Sequence, residues 1–237
     1  MIKNEYIIIS KFNNKLTKSA IKINNIIIFK SNKVVSKGQD KLTFFDLNSK
    51  QIFTTNIDKQ KYSFVYSQNG LTLMNNNKIL LCACKKYLKF QKNGILLLSF
   101  KDDKNINNNC DIIDYKFYCT NNFEVYCFCP ISIVHKKEIM KIKSDKKDTS
   151  YFFVGGFDLK RNKGMIKLYK VIYNEEYNKN KIQYVDDIKL IDEKKMVMKF
   201  NGPISCITQS NIDGKIIITC WNGNIYLFDH PNISNYL

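Results

Sequence analysis

Arginine is nearly absent from this chain. Its 237 residues include 38 basic side chains, of which 37 are lysine and one is Arg161. Proteins that recognise bases or bind phosphates favour arginine, because its planar guanidinium group donates two parallel hydrogen bonds. The net charge of +17 still indicates a polyanionic partner, but lysine together with 29 asparagines is also what AT-rich codons encode. The composition leaves open both nucleic-acid contact and a solvated lysine surface.

Long apolar runs are also missing. No stretch reaches the roughly 18 apolar residues of a membrane-spanning helix, and the apolar run near the start is too short for a signal-peptide core. These features predict a soluble intracellular protein without a membrane partner. The eight cysteines are then expected to be reduced, since a chain of this length can bury a core without disulfides.

Histidine is scarce as well. His135 and His230 are the only two, and neither has a nucleophile or a carboxylate at a catalytic spacing. The stretch VGGFDLKRNKG resembles a phosphate loop, but a strand follows its glycines where such a loop needs a helix. We expect Gly155 and Gly156 to release the chain from its sheet through positive φ angles. A propeller enzyme also needs polar residues that converge on a channel, and none are recognisable, so no catalytic residue is predicted.

Paired cysteines occur in two strand-like segments. CAC contains Cys82 and Cys84, and CFC contains Cys127 and Cys129. Side chains two apart in a strand share a face, whereas zinc sites usually use a Cys-x2-Cys turn. We therefore expect buried structural thiols, and we predict no metal and no cofactor.

The dominant hydrophobic period is two. NEYIIIS, KILLCAC, GILLLSF, YFFVGG and KIIITCW are short, rich in β-branched or aromatic residues, and bounded by polar clusters. SQNG, NIDGK and WNGN contain Asn-Gly or Asp-Gly, which suit tight hairpin turns. The pattern predicts an all-β fold with antiparallel pairing. Residues 15–23 and 175–187 have weak helical patterns, and the second is expected to form a hairpin with a charged tip.

The strands group into units. Residues 197–229 are four predicted strands separated by turns, which is the length of one propeller blade. Earlier blocks are similar, so we predict WD40-like β-propeller blades, each of four antiparallel strands, in preference to a sandwich or jelly roll. Residues 1–100 are assigned to degenerate blades and residues 101–113 to a low-complexity loop. Because a partial propeller leaves open edges, further blades from this or another chain are expected.

The last third carries a family resemblance. YFFVGGFDLKRNKGMIKLYKV (151–171) followed by KFNGPISCITQSNIDGKIIITCWNGNIYLFDH (199–230) resembles the carboxy-terminal region of three large multi-propeller proteins. They are the large subunit of the cleavage and polyadenylation specificity factor, a damaged-DNA-binding cullin adaptor, and a splicing factor 3b subunit. The Lys163-Gly164 pair and the Asn-Gly hairpin match in order, although Met165 replaces the family's arginine. Residues 114–237 are accordingly assigned to this CPSF A-type region, and NNFEVYCFCPISIV (121–134) is most similar to the polyadenylation branch.

The resemblance implies a function. It implies a non-enzymatic scaffold in the nucleus that presents propeller surfaces to other subunits of the pre-mRNA cleavage and polyadenylation complex. The sibling roles, in a cullin ubiquitin ligase or in splicing factor 3b, stay open.

Direct RNA contact through the phosphate backbone is a separate prediction, because lysine clusters neutralise phosphates without reading bases. The single tryptophan is a candidate anchor for RNA or a protein partner, and packing between blades is the alternative for it. The candidate contact residues are Lys136, Lys137, Lys141, Lys143, Lys146, Lys147, Lys160, Arg161, Lys163 and Trp221.

Overall fold

The protein is built from strands throughout its described part. The structure, a computed structural model, describes residues 23–29, 33–38, 42–46, 52–54, 62–65, 69–74, 79–87, 91–100, 112–131, 149–172, 181–188, 200–210 and 215–228. Those ranges contain no helix, so the all-β prediction is confirmed. A helix long and apolar enough to cross a membrane is accordingly not found among them.

The strands of the described residues form four sheets, numbered here in chain order. Sheet 1 contains β1 (Ile23–Phe29), β2 (Lys33–Gly38), β3 (Leu42–Asp46) and β4 (Ile52–Thr54). Sheet 2 contains β5 (Tyr62–Phe64), β6 (Leu71–Leu73), β7 (Ile79–Tyr87), β8 (Gln91–Phe100) and β9 (Ile112–Asn121). Sheet 3 contains β10 (Phe123–Pro130), β11 (Thr149–Asp158), β12 (Lys163–Ile172) and β13 (Lys181–Ile188). Sheet 4 contains β14 (Ile204–Gln209), β15 (Ile216–Cys220) and β16 (Ile225–Phe228).

Each sheet is an antiparallel meander. Strands pair with their neighbours in sequence, except that β5 and β6 lie end to end along one edge of β7. Sheets 1 to 3 are therefore four strands wide, and their assignment to propeller blades stays a prediction. In sheet 4 the described residues supply three strands, and Phe200 makes only an isolated bridge to Gly164.

The outcomes for the weaker predictions are mixed. Residues 175–187 were expected to form a hairpin with a charged tip. Their described part belongs to β13, which pairs antiparallel with β12, so the hairpin prediction is confirmed there. The helical pattern at 15–23 lies outside the described residues apart from Ile23, which opens β1. The predicted loop 101–113 is likewise outside them until β9 begins at Ile112, and the domain assignments stay predictions.

Apolar side chains form buried layers between the sheets. Ile95 of sheet 2 and Phe152 of sheet 3 belong to the layer between these two sheets. Phe153, the next residue along β11, points the other way into the layer shared with sheet 4. Leu96 likewise packs on the opposite face of sheet 2, in a layer that includes Leu42 of sheet 1. Strand alternation thus gives sheets 2 and 3 two buried faces each.

The two glycines of β11 serve close packing, which corrects the prediction of positive φ angles. Gly155 and Gly156 lie inside the β10–β11–β12 ladder, and the glycine with positive φ in the described part of the chain is Gly223. A Cβ on Gly155 would lie 2.6 Å from Cys127 Sγ, and one on Gly156 would overlap the carbonyl oxygen of Glu124. Glycine is therefore needed because neighbouring atoms fill the space of a side chain.

Candidate partner-binding surfaces

Trp221 lies in the turn between β15 and β16 and packs against sheet 3. Its ring centroid is 4.6 Å from that of Tyr126, and the ring planes are tilted by 43°. The turn is fixed because Trp221 N–H donates to Pro203 O and Gly223 N–H donates to Cys220 O, both at 3.0 Å. Tyr126 is buried, whereas Trp221 keeps 56% of its surface exposed. The indole therefore bridges two sheets and also presents a supported aromatic surface to solvent.

An ion pair holds Tyr126 in place. Glu124 accepts a hydrogen bond from the Tyr126 hydroxyl and another from Lys85 Nζ at 2.9 Å. Lys85 lies on β7 and Glu124 on β10, so the network joins sheet 2 to sheet 3. Burial works to raise the pKa of Glu124, but the hydrogen bonds from Tyr126 and Lys85 and the lysine charge outweigh it, and the pKa is lowered. Burial and the bond to Glu124 raise the pKa of Tyr126 well above its ordinary value. Near neutral pH the pair is thus a carboxylate and a neutral phenol.

The predicted basic loop is the turn between β11 and β12. The Asp158 carboxylate accepts hydrogen bonds from the backbone N–H groups of Lys160, at 3.0 Å, and Arg161, at 2.9 Å. The Arg161 guanidinium donates to Met165 Sδ at 3.3 Å, and Asn162 adopts a φ of 51°, which asparagine tolerates in tight turns. The backbone of this turn is therefore fixed, while Lys160 and Arg161 stay exposed.

These two features lie at the same end of the sheets. Gly164, just after the basic turn, donates its N–H to Phe200 O at 3.1 Å and approaches Gly202 so closely that a Cβ would overlap its carbonyl oxygen. The chain continues directly to Pro203, whose carbonyl binds Trp221 N–H. We call this region the end surface, and it comprises Lys85, Glu124, Tyr126, Lys160, Arg161, Lys163 and Trp221.

Sheet 4 has one buried and one solvent-facing side. Ile218 and its neighbours on the buried side pack against sheet 3. On the other side Ile217, Ile225 and Leu227 are 36%, 72% and 63% exposed. Ile217 pairs with Leu227 across β15 and β16, so the three aliphatic side chains share one face. We call these three residues the outer face of sheet 4.

A cavity opens where β6 of sheet 2, β10 of sheet 3 and β14 of sheet 4 meet. Its volume is about 280 Å³, and its lining includes Asn69, Thr72, Cys129 and Gln209. Phe128 N–H donates to Asn69 O at 3.0 Å, and the Asn69 amide donates to the sulfur of Cys206. The cavity is therefore bounded by neutral groups of β6, β10 and β14, and hydrogen bonds of Asn69, in the turn before β6, connect to β10 and β14.

The cysteines expected to be structural are buried. Cys82 and Cys84 lie in the layer towards sheet 1, and Cys127 and Cys129 lie in the layer between sheets 3 and 4. All four are free thiols, so this prediction is confirmed. Burial raises the pKa of Cys127 and brings that of Cys129 to about 12. No group of three or more histidine, cysteine or acidic residues in the described ranges is placed to hold a metal ion.

The predicted contact residues divide into two sets. Both histidines lie outside the described residues, as do Lys136, Lys137, Lys141, Lys143, Lys146 and Lys147. The end surface brings the other four predicted residues together, but the prediction missed Lys85, Glu124, Tyr126 and Asp158. The one sequence signal that could have indicated any of these residues was the spacing of Glu124 and Tyr126, since residues two apart in a strand point to the same side.

Comparisons with known proteins identify no family. No family model matches this chain, and no curated protein is a significant match. One solved structure is the extracellular domain of a protein assigned to a hybrid two-component system of B. thetaiotaomicron. It matches 90% of this chain at 13% identity with a TM-score of 0.20, and the chain spans 34% of its length. This weak likeness carries no argument about fold or function.

Proposed function

We propose that this chain is a non-enzymatic scaffold subunit whose sheets are blades of a propeller that further sheets complete. The observation that carries the proposal is the outer face of sheet 4. Sheets 2 and 3 bury both of their faces, whereas Ile225 and Leu227 of sheet 4 are 72% and 63% exposed. Aliphatic side chains on a sheet face are normally covered by another layer. A further sheet on this face would continue the same stacking.

The arrangement of the strands supports blades over a sandwich. Propeller blades are meanders of about four strands, and they surround a central channel. Here β6, β10 and β14, on one side of sheets 2, 3 and 4, meet at the cavity lined by Asn69, Cys129 and Gln209. The hydrogen bond from Phe128 N–H to Asn69 O joins β10 to the turn before β6. In the proposed propeller, this cavity is part of the channel.

The biological setting follows from the resemblance of residues 151–171 and 199–230. We propose a nuclear subunit of the pre-mRNA cleavage and polyadenylation complex that holds protein partners in register while other subunits bind and cut the RNA. The alternative within the same family is a cullin-ligase adaptor or a splicing factor 3b component. Each setting requires a rigid surface on which partners assemble.

Affinity purification of the tagged full-length chain from nuclear extract tests the proposal. We expect endonuclease and poly(A) factors to copurify with the parent chain and to be lost with Leu227→Asp. Leu159→Asp is the matched control, because Leu159 is 50% exposed but lies in the β11–β12 turn and is not part of the outer face of sheet 4. Recovery of cullin or of U2-particle proteins instead would favour the alternative.

Two results would contradict the scaffold role. The first is a monodisperse monomer with a sharp two-state melt, because a chain that lacks neighbouring blades should associate or melt broadly. The second is copurification that Leu227→Asp and Leu159→Asp leave equally intact, because the outer face of sheet 4 would then have no part in assembly.

A further inference from the structure

The end surface contains a supported aromatic platform. Trp221 rests on Tyr126 with 4.6 Å between ring centroids, and Tyr126 is held by Glu124, which is held by Lys85. Because buried or hydrogen-bonded groups fix each member, Trp221 does not need to be ordered when a ligand binds. An exposed indole with a rigid support is the arrangement on which unpaired bases stack.

The basic turn between β11 and β12 lies near this platform. Val125, Gly156 and Met165 are opposite one another on β10, β11 and β12, so β10 and β12 are roughly 10 Å apart. Arg161 contacts Met165 at 3.3 Å, which places its guanidinium on the β12 side of the platform. A strand of a few nucleotides can therefore stack a base on Trp221 while its phosphates approach the basic turn.

The charges of the end surface favour a polyanion. Lys160 and Arg161 are exposed, and the carboxylates of Glu124 and Asp158 are engaged by Lys85 and by backbone N–H groups. The chain as a whole carries +17, which attracts phosphates before contact is made. Because the chain has a single arginine, the surface lacks the set of guanidinium groups whose paired hydrogen bonds distinguish one base from another.

We propose that the end surface binds single-stranded nucleic acid, with a base stacked on Trp221 and phosphates neutralised by Lys160, Arg161 and Lys163. Binding is independent of base sequence, because every base offers an aromatic face. It also makes no contact that distinguishes ribose from deoxyribose. This site is separate from the outer face of sheet 4, so it does not depend on the scaffold role.

The tryptophan itself reports on this site, because Trp221 is the only one in the chain. We expect oligo(U) and oligo(dT) of roughly twelve nucleotides to quench its emission at the concentrations at which they raise the fluorescence anisotropy of a labelled strand. Trp221→Ala should weaken binding measured by anisotropy by roughly 5- to 150-fold. Trp221→Phe, which keeps an aromatic face, should weaken it less.

Salt dependence tests the basic turn. Lys160→Ala and Arg161→Ala should each lower the slope of log affinity against log salt by about 0.7, the value for one lost phosphate contact with a single strand. Lys170→Ala is the charge-matched control, because seven residues of β12 place Lys170 roughly 20 Å from Lys163. It should leave the slope unchanged.

Several results would overturn the proposal. One is binding of the oligonucleotides without quenching of the Trp221 emission, and another is an affinity that Trp221→Ala leaves unchanged. The others are an affinity that does not fall when the salt concentration is raised several-fold, and a strong preference for one base sequence. Equal quenching by polyglutamate would instead assign the surface to an acidic protein. Leu227→Asp should leave quenching intact, so failure of the scaffold role and failure of this site are distinguishable.

Discussion

Replacing Gly156 with alanine tests how β10 and β11 are held together. Gly156 lies opposite Val125, where the pairing of the two strands shifts at a bulge. A Cβ at this position would overlap the Glu124 carbonyl oxygen and lie 2.9 Å from Phe123 Cζ. The first of these atoms belongs to the backbone, so it cannot move without pushing β10 away from β11. Glu124 also anchors Lys85 and Tyr126, and the disturbance should reach that network.

The expected loss of stability follows from opposing contributions. Overpacking typically costs about 1–3 kcal/mol, and the upper half applies here because a strand has to shift. Alanine restricts the unfolded chain and returns about 0.4–1 kcal/mol. The net loss should be about 1–2.5 kcal/mol, which lowers the melting temperature by roughly 2–10 °C for a chain of this size. Gly202→Ala is the control, because its Cβ would meet the Asn222 side chain at an ordinary 3.5 Å.

Thermal and urea unfolding of the full chain measure this difference. Circular dichroism follows the sheets, and Trp221 emission follows the contact with Tyr126, which Gly156→Ala should loosen before the sheets unfold. Equal midpoints for Gly156→Ala and Gly202→Ala would refute the close approach of β10 and β11. A normal Trp221 signal in a destabilised Gly156→Ala would refute only the connection to the network.

Three further predictions concern charge, thiols and the exposed face. Because the pKa of Glu124 is lowered, the stability that its carboxylate provides is complete above the ordinary pKa of 4.5 and is lost as pH falls through the lower pKa. In Glu124→Gln the free energy of unfolding should therefore fall less steeply as the pH is lowered through this range. Exposed Cys119 should be alkylated well before buried Cys127, whose pKa is raised by burial, and similar labelling rates in mass spectrometry would contradict the buried layer. Leu227→Asp should change the free energy of urea unfolding by less than about 0.5 kcal/mol, and a much larger loss would mean that this face is covered within the chain.

Local sequence patterns were sufficient to predict the strands and the burial of most of the buried thiols. KILLCAC became β7 and GILLLSF became β8, because alternating apolar residues with polar boundaries have few other stable conformations. Cys82 and Cys84 were predicted to be buried for the same reason. These predictions depend only on residues that are close in sequence.

Contacts between distant segments could not be predicted in the same way. A Gly-Gly pair suits either a positive-φ bend or a crowded strand, and the choice at Gly156 is made by Glu124, 32 residues earlier in the chain. The support of Trp221 by Tyr126, and of Glu124 by Lys85, likewise depends on how three sheets stack. No local pattern encodes that stacking, so the basic turn and the tryptophan were predicted without the residues that hold them.

The meander order also affects how the chain folds during synthesis. Each sheet uses one continuous stretch, so its hairpins can close within microseconds once they leave the ribosome, which adds only about 5–20 residues per second. A sheet has to bury its apolar faces against another layer, and sheet 2 therefore has to wait for sheet 3 before the layer between Ile95 and Phe152 can form. Sheet 4 follows sheet 3 in the chain, so it is added to a layer that sheets 2 and 3 have already formed. Its outer face is consequently exposed once sheet 4 has packed on sheet 3, and a chaperone or an assembling partner can meet it from that moment.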